Sequence, residues 1–255
     1  MDFQVVFLEC QRDERSGFLV GICNDLHINT IHGDVISGMD FSSDRSFNPW
    51  RKFVDLTSTF KGVDYAWRYG TIPITVRENV STHLFWVTHY VTLLHLQVDP
   101  TDHETLGVCL MGASLHDIGE SLTGEVVRTF KYTTPELKQE IDRAENIMLD
   151  QIPDDAKQLF IVYDDMLTKL GTEGAEYVRV ALKVADFVAV FQFMKRELER
   201  GNREIDPYYN RMIDDFRKMY SESVPVTSPR GVPFFPGEVY DAMTVAACEL
   251  VGKYR

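Results

Sequence analysis

Thr105-Leu106-Gly107-Val108-Cys109-Leu110-Met111-Gly112-Ala113-Ser114-Leu115-His116-Asp117-Ile118-Gly119-Glu120 is the stretch on which the fold turns. Its first part, Thr105 to Leu115, carries no charge and reads as an apolar helix running into the His116-Asp117 pair. A helix continued through that pair sets His116 and Glu120 one turn apart on one face, with Asp117 beside them. An imidazole and two carboxylates at the end of an apolar helix point to a metal site with its acid or base attached. The remaining ligands must come from other parts of the chain.

Helices extend on either side of this run. Asn79 or Ser81 is placed to cap a helix through His83 to about Leu96, and Asp99-Pro100-Thr101-Asp102 breaks it. Thr101 or Asp102 then starts the helix that ends at the His-Asp pair. Thr134-Pro135-Glu136 puts a cap and a first-turn proline before a charged helix to about Gln151. Ile152-Pro153-Asp154-Asp155 opens another, ending near Gly171. Glu173 to Arg200 reads as a long helix stopped by Gly201-Asn202, and Tyr208 to Tyr220 as the next. Ser223 to Pro236 is proline-rich and reads as a loop, and Val239 to Lys253 closes the chain as a helix.

The N-terminal part differs. Phe3 to Leu8 and Gly17 to Ile22 are apolar runs separated by the polar Gln11 to Ser16, which predicts a hairpin, and Thr30 to Ile36 is a candidate third strand. The expected fold is all-α with a small β-rich N-terminal addition: residues 1–50 as the extension and 51–255 as the helical body.

The 255 residues are 44% hydrophobic and 12% aromatic, enough for a full core, and carry a formal net charge of −13. That charge excludes broad binding to duplex nucleic acid, which needs a basic face, but leaves room for a small anion held by a few arginines. Cys10, Cys23, Cys109 and Cys248 form no CxxC pair, and Cys109 and Cys248 lie in apolar runs as small hydrophobes of a reducing compartment. Glu9, Arg12 and Asp13 interrupt any signal-peptide pattern, and no stretch approaches the roughly 20 apolar residues that span a bilayer. A soluble cytoplasmic protein, not bound to membranes, is expected.

Beyond the His-Asp pair, Asp186 lies in Val184-Ala185-Asp186-Phe187-Val188-Ala189-Val190-Phe191, apolar nearly all round. A carboxylate there needs a cation, a salt bridge to an arginine, or a wet helix face. His83 falls in the first turn of an apolar helix, where a satisfied core or surface role is the alternative. His89 and His95 share that helix but not its face and read as structural, while His27, His32 and His103 read as loop or strand residues. Together His83, His116, Asp117 and Asp186 offer two imidazoles and two carboxylates, a set suited to Zn, Mn, Co, Fe or Mg.

The words around these residues resemble a known family. Glu78-Asn79-Val80-Ser81-Thr82-His83, His116-Asp117-Ile118-Gly119-Glu120-Ser121-Leu122-Thr123-Gly124-Glu125 and Lys183-Val184-Ala185-Asp186 look like the HD-domain metal-dependent phosphohydrolases. Within them the bacterial 5'-deoxynucleotidase group is most similar, with the phage dATP triphosphohydrolases related to it. The likeness spans about residues 65 to 200. It implies an HD-domain helical bundle and one divalent ion (Co, Mn, Zn or Mg) held by His83, His116, Asp117 and Asp186. It implies Glu120 as the acid/base, Arg68 and Lys131 at phosphate, Tyr69 at the sugar and base, and Glu125 at the deoxyribose 3'-hydroxyl. Tyr69 stands where the family has tryptophan, Glu125 where it has aspartate, and Val126-Val127-Arg128-Thr129 where prolines are usual.

The implied function is removal of phosphate from a deoxynucleoside monophosphate. The alternatives are triphosphate release from a dNTP such as dATP, and a nucleotide-binding regulatory protein without the reaction. A di-iron oxygenase of the same fold would need further histidines, and no matching pair stands near Asp186. Arg77 and Arg128 are secondary phosphate candidates or surface residues. The resemblance also implies a homodimer or larger homo-oligomer.

Overall fold

The computed structural model describes residues 9–12, 19–22 and 60–253, apart from positions 125, 127–130, 132, 151, 153 and 221–223. The chain divides into two compact units, Met1–Arg51 and Lys52–Arg255. In the first, β1 (Glu9–Arg12) pairs antiparallel with β2 (Leu19–Ile22), Glu9 opposite Ile22 and Arg12 opposite Leu19. β2 falls within the expected second strand, Gly17 to Ile22, and the expected first strand, Phe3 to Leu8, lies outside the described residues; β1 instead takes in Gln11 and Arg12, which the apolar pattern assigns to the connection. Backbone groups alone make the ladder, so polar side chains do not exclude a strand. The expected strand at Thr30 to Ile36 lies outside the described residues.

The second unit is helical: α1 (Val80–Val98), α2 (His103–Leu115), α3 (Glu120–Thr123), α4 (Pro135–Leu149), α5 (Asp154–Lys169), α6 (Gly171–Glu199), α7 (Asp206–Tyr220) and α8 (Pro236–Lys253). Local chemistry sets the boundaries. The Asn79 side chain accepts from the Thr82 amide at 3.0 Å and caps α1. Asp102 does the same for α2 through the Thr105 amide at 3.1 Å, and Thr134 Oγ1 accepts from the Leu137 amide at the start of α4. His103, expected in a loop, is the first residue of α2. Gly201, at φ 87°, supplies the left-handed residue just past α6.

The 29-residue α6 is the central element, packed against α1, α2, α5, α7 and α8. Its Tyr177, Val178, Ala181, Val184 and Ala185 meet Val87 and Val91 of α1 and Val108, Cys109 and Ala113 of α2 in the main core. Gly112 makes a close approach possible: a Cβ there would lie 2.6 Å from Tyr163 Oη of α5 and 2.6 Å from Leu182 of α6. The expected loop before α8 holds a small antiparallel pair, β3 (Val226–Thr227) with β4 (Pro233–Phe234). Strands of two residues are too short to leave a pattern in sequence.

A second, smaller apolar cluster joins Val63 and Ala66, Val80 and Leu84 of α1, and Leu115 and Ile118 at the end of α2. Its members are neighbours in sequence of Arg68, His83, His116 and Asp117. Burying this cluster therefore draws three separated segments to one place.

Candidate functional site

The helix expected to end at the His-Asp pair stops at Leu115, with His116 as its C-cap. The His116 amide still bonds the Gly112 carbonyl at 3.0 Å, then the chain tightens, with Ile118 N on Leu115 O at 3.1 Å and Glu120 N on Asp117 O at 3.1 Å. Glu120 therefore begins α3 instead of lying one turn further along α2. These i→i+3 bonds end a helix without proline, so composition does not announce the break. Gly124 ends α3 at φ 70°, ψ 165°, a backbone region confined to glycine. The glycine of the Leu122-Thr123-Gly124 word thus has a conformational reason.

Arg68 reaches the same place by a different device. Trp67 and Asn79 form an isolated antiparallel bridge, with the Arg68 amide on the Glu78 carbonyl at 2.9 Å and the Val80 amide on the Ala66 carbonyl at 2.9 Å. The next residue, Tyr69, has φ 61°, unusual for a bulky residue. Its ring is 8% exposed and stacks on Phe193 of α6 at 4.5 Å, with the Arg68 guanidinium 5.4 Å from its centroid. Tyr69, expected at the sugar and base, is thus packed into the core. The left-handed turn interrupts the alternation of an extended segment and carries the ring inward.

Ligand atoms of His83, His116 and Asp117 all lie within 4.8 Å of one another. His83 Nε2 is 3.6 Å from Asp117 Oδ2, and His116 Nε2 is 3.4 Å from the same oxygen. Arg68 NH1 donates to that oxygen at 3.0 Å. Asp186 joins through His83, its Oδ1 lying 3.1 Å from Nε2, while Lys183 Nζ donates to Oδ2 at 2.7 Å. The salt bridge foreseen as the alternative for Asp186 therefore exists, made by a lysine three residues back on the same helix.

Each imidazole is set differently. His116 Nδ1 is 2.8 Å from the Ala113 carbonyl, which only accepts, so Nδ1 carries the proton and Nε2 presents its lone pair. His83 is 1% exposed, and among the described residues neither of its ring nitrogens makes a hydrogen bond. Burial, reinforced by the Arg68 charge, pushes its pKa down to about 4 against the pull of Asp186 and Asp117, so the ring is neutral at pH 7. Burial opposes ionisation of Asp186, but Lys183, His83 and His116 outweigh it and hold the carboxyl well below the usual range. Burial also works against the Arg68 charge, yet Tyr69, Asp117, Asp186 and Glu120 raise its pKa. Glu120 is half-buried beside this network.

The chemistry of this donor set fits a divalent ion. The His83 and His116 imidazoles and the Asp117 carboxylate come together, Asp186 joins them through His83, and the buried His83 nitrogens face oxygen acceptors. Lys131 is placed otherwise: its Nζ lies 3.1 Å from Glu145 and 3.2 Å from Asp142, both on α4. Glu125 and Arg128 lie outside the described residues, and Arg77 sits 5.7 Å over the exposed Trp67 ring. Two residues at the site were not singled out from sequence. Lys183 was detectable from its i,i+3 spacing to Asp186. Glu78, 5% exposed and 3.9 Å from both Arg68 Nε and His83 Nδ1, was legible only as part of a motif word.

The chain is similar to several known proteins. An HD phosphohydrolase of cyanophage S-2L, solved with dA and one catalytic Zn2+ ion, aligns at TM-score 0.47 and 18% identity, covering 77% of this chain and 96% of that one. An HD-domain phosphohydrolase of Listeria innocua aligns at TM-score 0.49 and 20% identity, covering 66% of this chain and 82% of the other. A 5'-deoxynucleotidase of Vibrio cholerae serotype O1 is 28% identical over 155 residues, 58% of this chain and 76% of the relative. The family model described as 5'-deoxynucleotidase YfbR-like matches residues 55–228, a span that holds every residue of the cluster. This chain belongs to the YfbR-like 5'-deoxynucleotidase family.

Proposed function

We propose that the protein is a metal-dependent 5'-deoxynucleotidase, converting a deoxynucleoside monophosphate and water to deoxynucleoside and phosphate. The observation that carries this reading is the convergence of His83, His116 and Asp117 within 4.8 Å, with Arg68 on Asp117 and Asp186 on His83. His83, His116, Asp117 and Asp186 would hold the ion. When bound, it supplies Lewis acidity toward a phosphoryl oxygen and lowers the pKa of water.

The chain's own residues supply the rest. Water adds to phosphorus, the bond to O5' breaks, and a proton must leave the water and reach O5'. Glu120, outside the proposed ligand set, handles that proton. Arg68, held charged by its carboxylate neighbours, offers a guanidinium for the phosphate oxygens. Tyr69 buttresses Arg68 from the core side. Lys131 and Glu125 are assigned to phosphate and the 3'-hydroxyl on the family resemblance. In the geometry described, Lys131 must leave Asp142 and Glu145 to act there.

The purified protein is incubated with each dNMP, NMP and dNTP and with Mn, Co, Mg or Zn, and the released phosphate species are identified. Orthophosphate from dNMPs supports the reading. Triphosphate from dNTPs replaces it with the triphosphohydrolase alternative, and no turnover overturns both. Among the described residues no helix is long and apolar enough to cross a membrane; the cytoplasmic location is part of the proposal. The exposed Phe85, Leu93 and Leu96 along one flank of α1 fit a homodimer or larger assembly, checked by light scattering.

A further inference from the structure

We propose that Glu78 is a positioning residue that orients His83 and Arg68 together, an inference that rests on the metal-site reading above. Glu78 directly precedes the Asn79 cap of α1, and its side chain is 5% exposed. Its Oε1 lies 3.9 Å from His83 Nδ1 and 3.9 Å from Arg68 Nε. Both nitrogens are buried, and neither makes a hydrogen bond among the described residues. One carboxylate oxygen therefore faces two nitrogens that need an acceptor.

The two contacts act at opposite ends of the site. With a cation taking the Nε2 lone pair on the side of Asp117 and Asp186, the ring proton would sit on Nδ1, where Glu78 offers the acceptor. A carboxylate behind an imidazole fixes its ring orientation and raises its strength as a ligand. The same oxygen holds the Nε side of Arg68, so that NH1 points to Asp117. The contacts of 3.9 Å are about 1 Å longer than a hydrogen bond, so Glu78 acts on both groups through its charge. The backbone prepares this arrangement, because the Glu78 carbonyl already accepts the Arg68 amide at 2.9 Å.

Two measurements test it. In Glu78→Gln, which keeps the shape and removes the charge, the affinity for Co2+ or Zn2+ by competition titration is expected to fall about tenfold or more. A raised KM for deoxynucleoside monophosphate, from the loosened Arg68, should accompany it. A lowered Tm with metal affinity within threefold of wild type would show a merely structural glutamate and overturn the proposal. In the metal-free protein, heteronuclear NMR of the arginine Nε–H groups, with Arg68 assigned against Arg68→Lys, is expected to show an Arg68 resonance that moves in Glu78→Gln, and an unmoved resonance overturns the proposal whatever the protein's activity. If wild type binds no metal, the metal reading itself fails, and the Arg68 resonance still reports on Glu78 separately. Glu78→Asp supplies the same measurements if Glu78→Gln does not fold.

Discussion

His83 and His95 lie on the same helix, both buried, twelve residues or about 18 Å apart along its axis. His95 Nδ1 is 2.9 Å from Tyr177 Oη and its Nε2 is 2.8 Å from the Asp102 carbonyl. Each ring nitrogen has a complementary partner, and the ring ties α1 to α6 and to the cap of α2. His83 has carboxylate oxygens on both sides, from Asp186 Oδ1 at 3.1 Å to Glu78 Oε1 at 3.9 Å. The same side chain is a strut where its partners are complementary and a proposed ligand where they crowd it with like acceptors. Burial alone does not separate the two, and neither does position in an apolar helix.

The largest expected effect is at His83. His83→Asn should lose stoichiometric metal by elemental analysis and lower turnover beyond detection while remaining folded by circular dichroism. Retained metal would erase the contrast with His95. Next, Glu120→Gln should cut kcat by about 10²–10⁴-fold with metal content unchanged, and lost metal would move Glu120 into the ligand set. The structural side of the comparison is tested by His95→Ala. It should cost about 2–4 kcal/mol in denaturant unfolding, because a cavity and two orphaned polar partners remain. Metal bound per folded molecule should stay at the wild-type level.

The last effect is confined to acid pH. In metal-free protein the unfolded chain protonates His83 near 6.5, whereas the folded chain does so only near 4. Between those values the unfolded state binds more protons, so stability falls as pH falls, by up to about 3 kcal/mol. Above pH 6.5 the term vanishes. His83→Asn should remove this part of the acid slope, and an unchanged slope would show that His83 does not carry it.

Much of this was readable in the amino-acid order because local chemistry is written locally. The Asn79, Asp102 and Thr134 caps are adjacent to the helices they start, and Asp186 stands out as a charge in an apolar run. What the order concealed depends on long-range contact or on geometry without a residue signature. The break after Leu115 rests on tightened hydrogen bonds, not on proline. Tyr69 turned inward because of one backbone dihedral and a ring on α6. Lys131 is held by Asp142 and Glu145, more than ten residues along the chain, which no spacing rule near Lys131 announces.

The Trp67–Asn79 bridge has a further consequence. Its two amides, Arg68 N and Val80 N, close a single clip between the segment bearing the guanidinium and the start of the helix bearing His83. In hydrogen-exchange terms they form one opening unit, since neither bond survives separation of the two segments. Fraying the first turn of α1 would release Arg68 with it, so the proposed hold on phosphate and the first imidazole would be lost in one event.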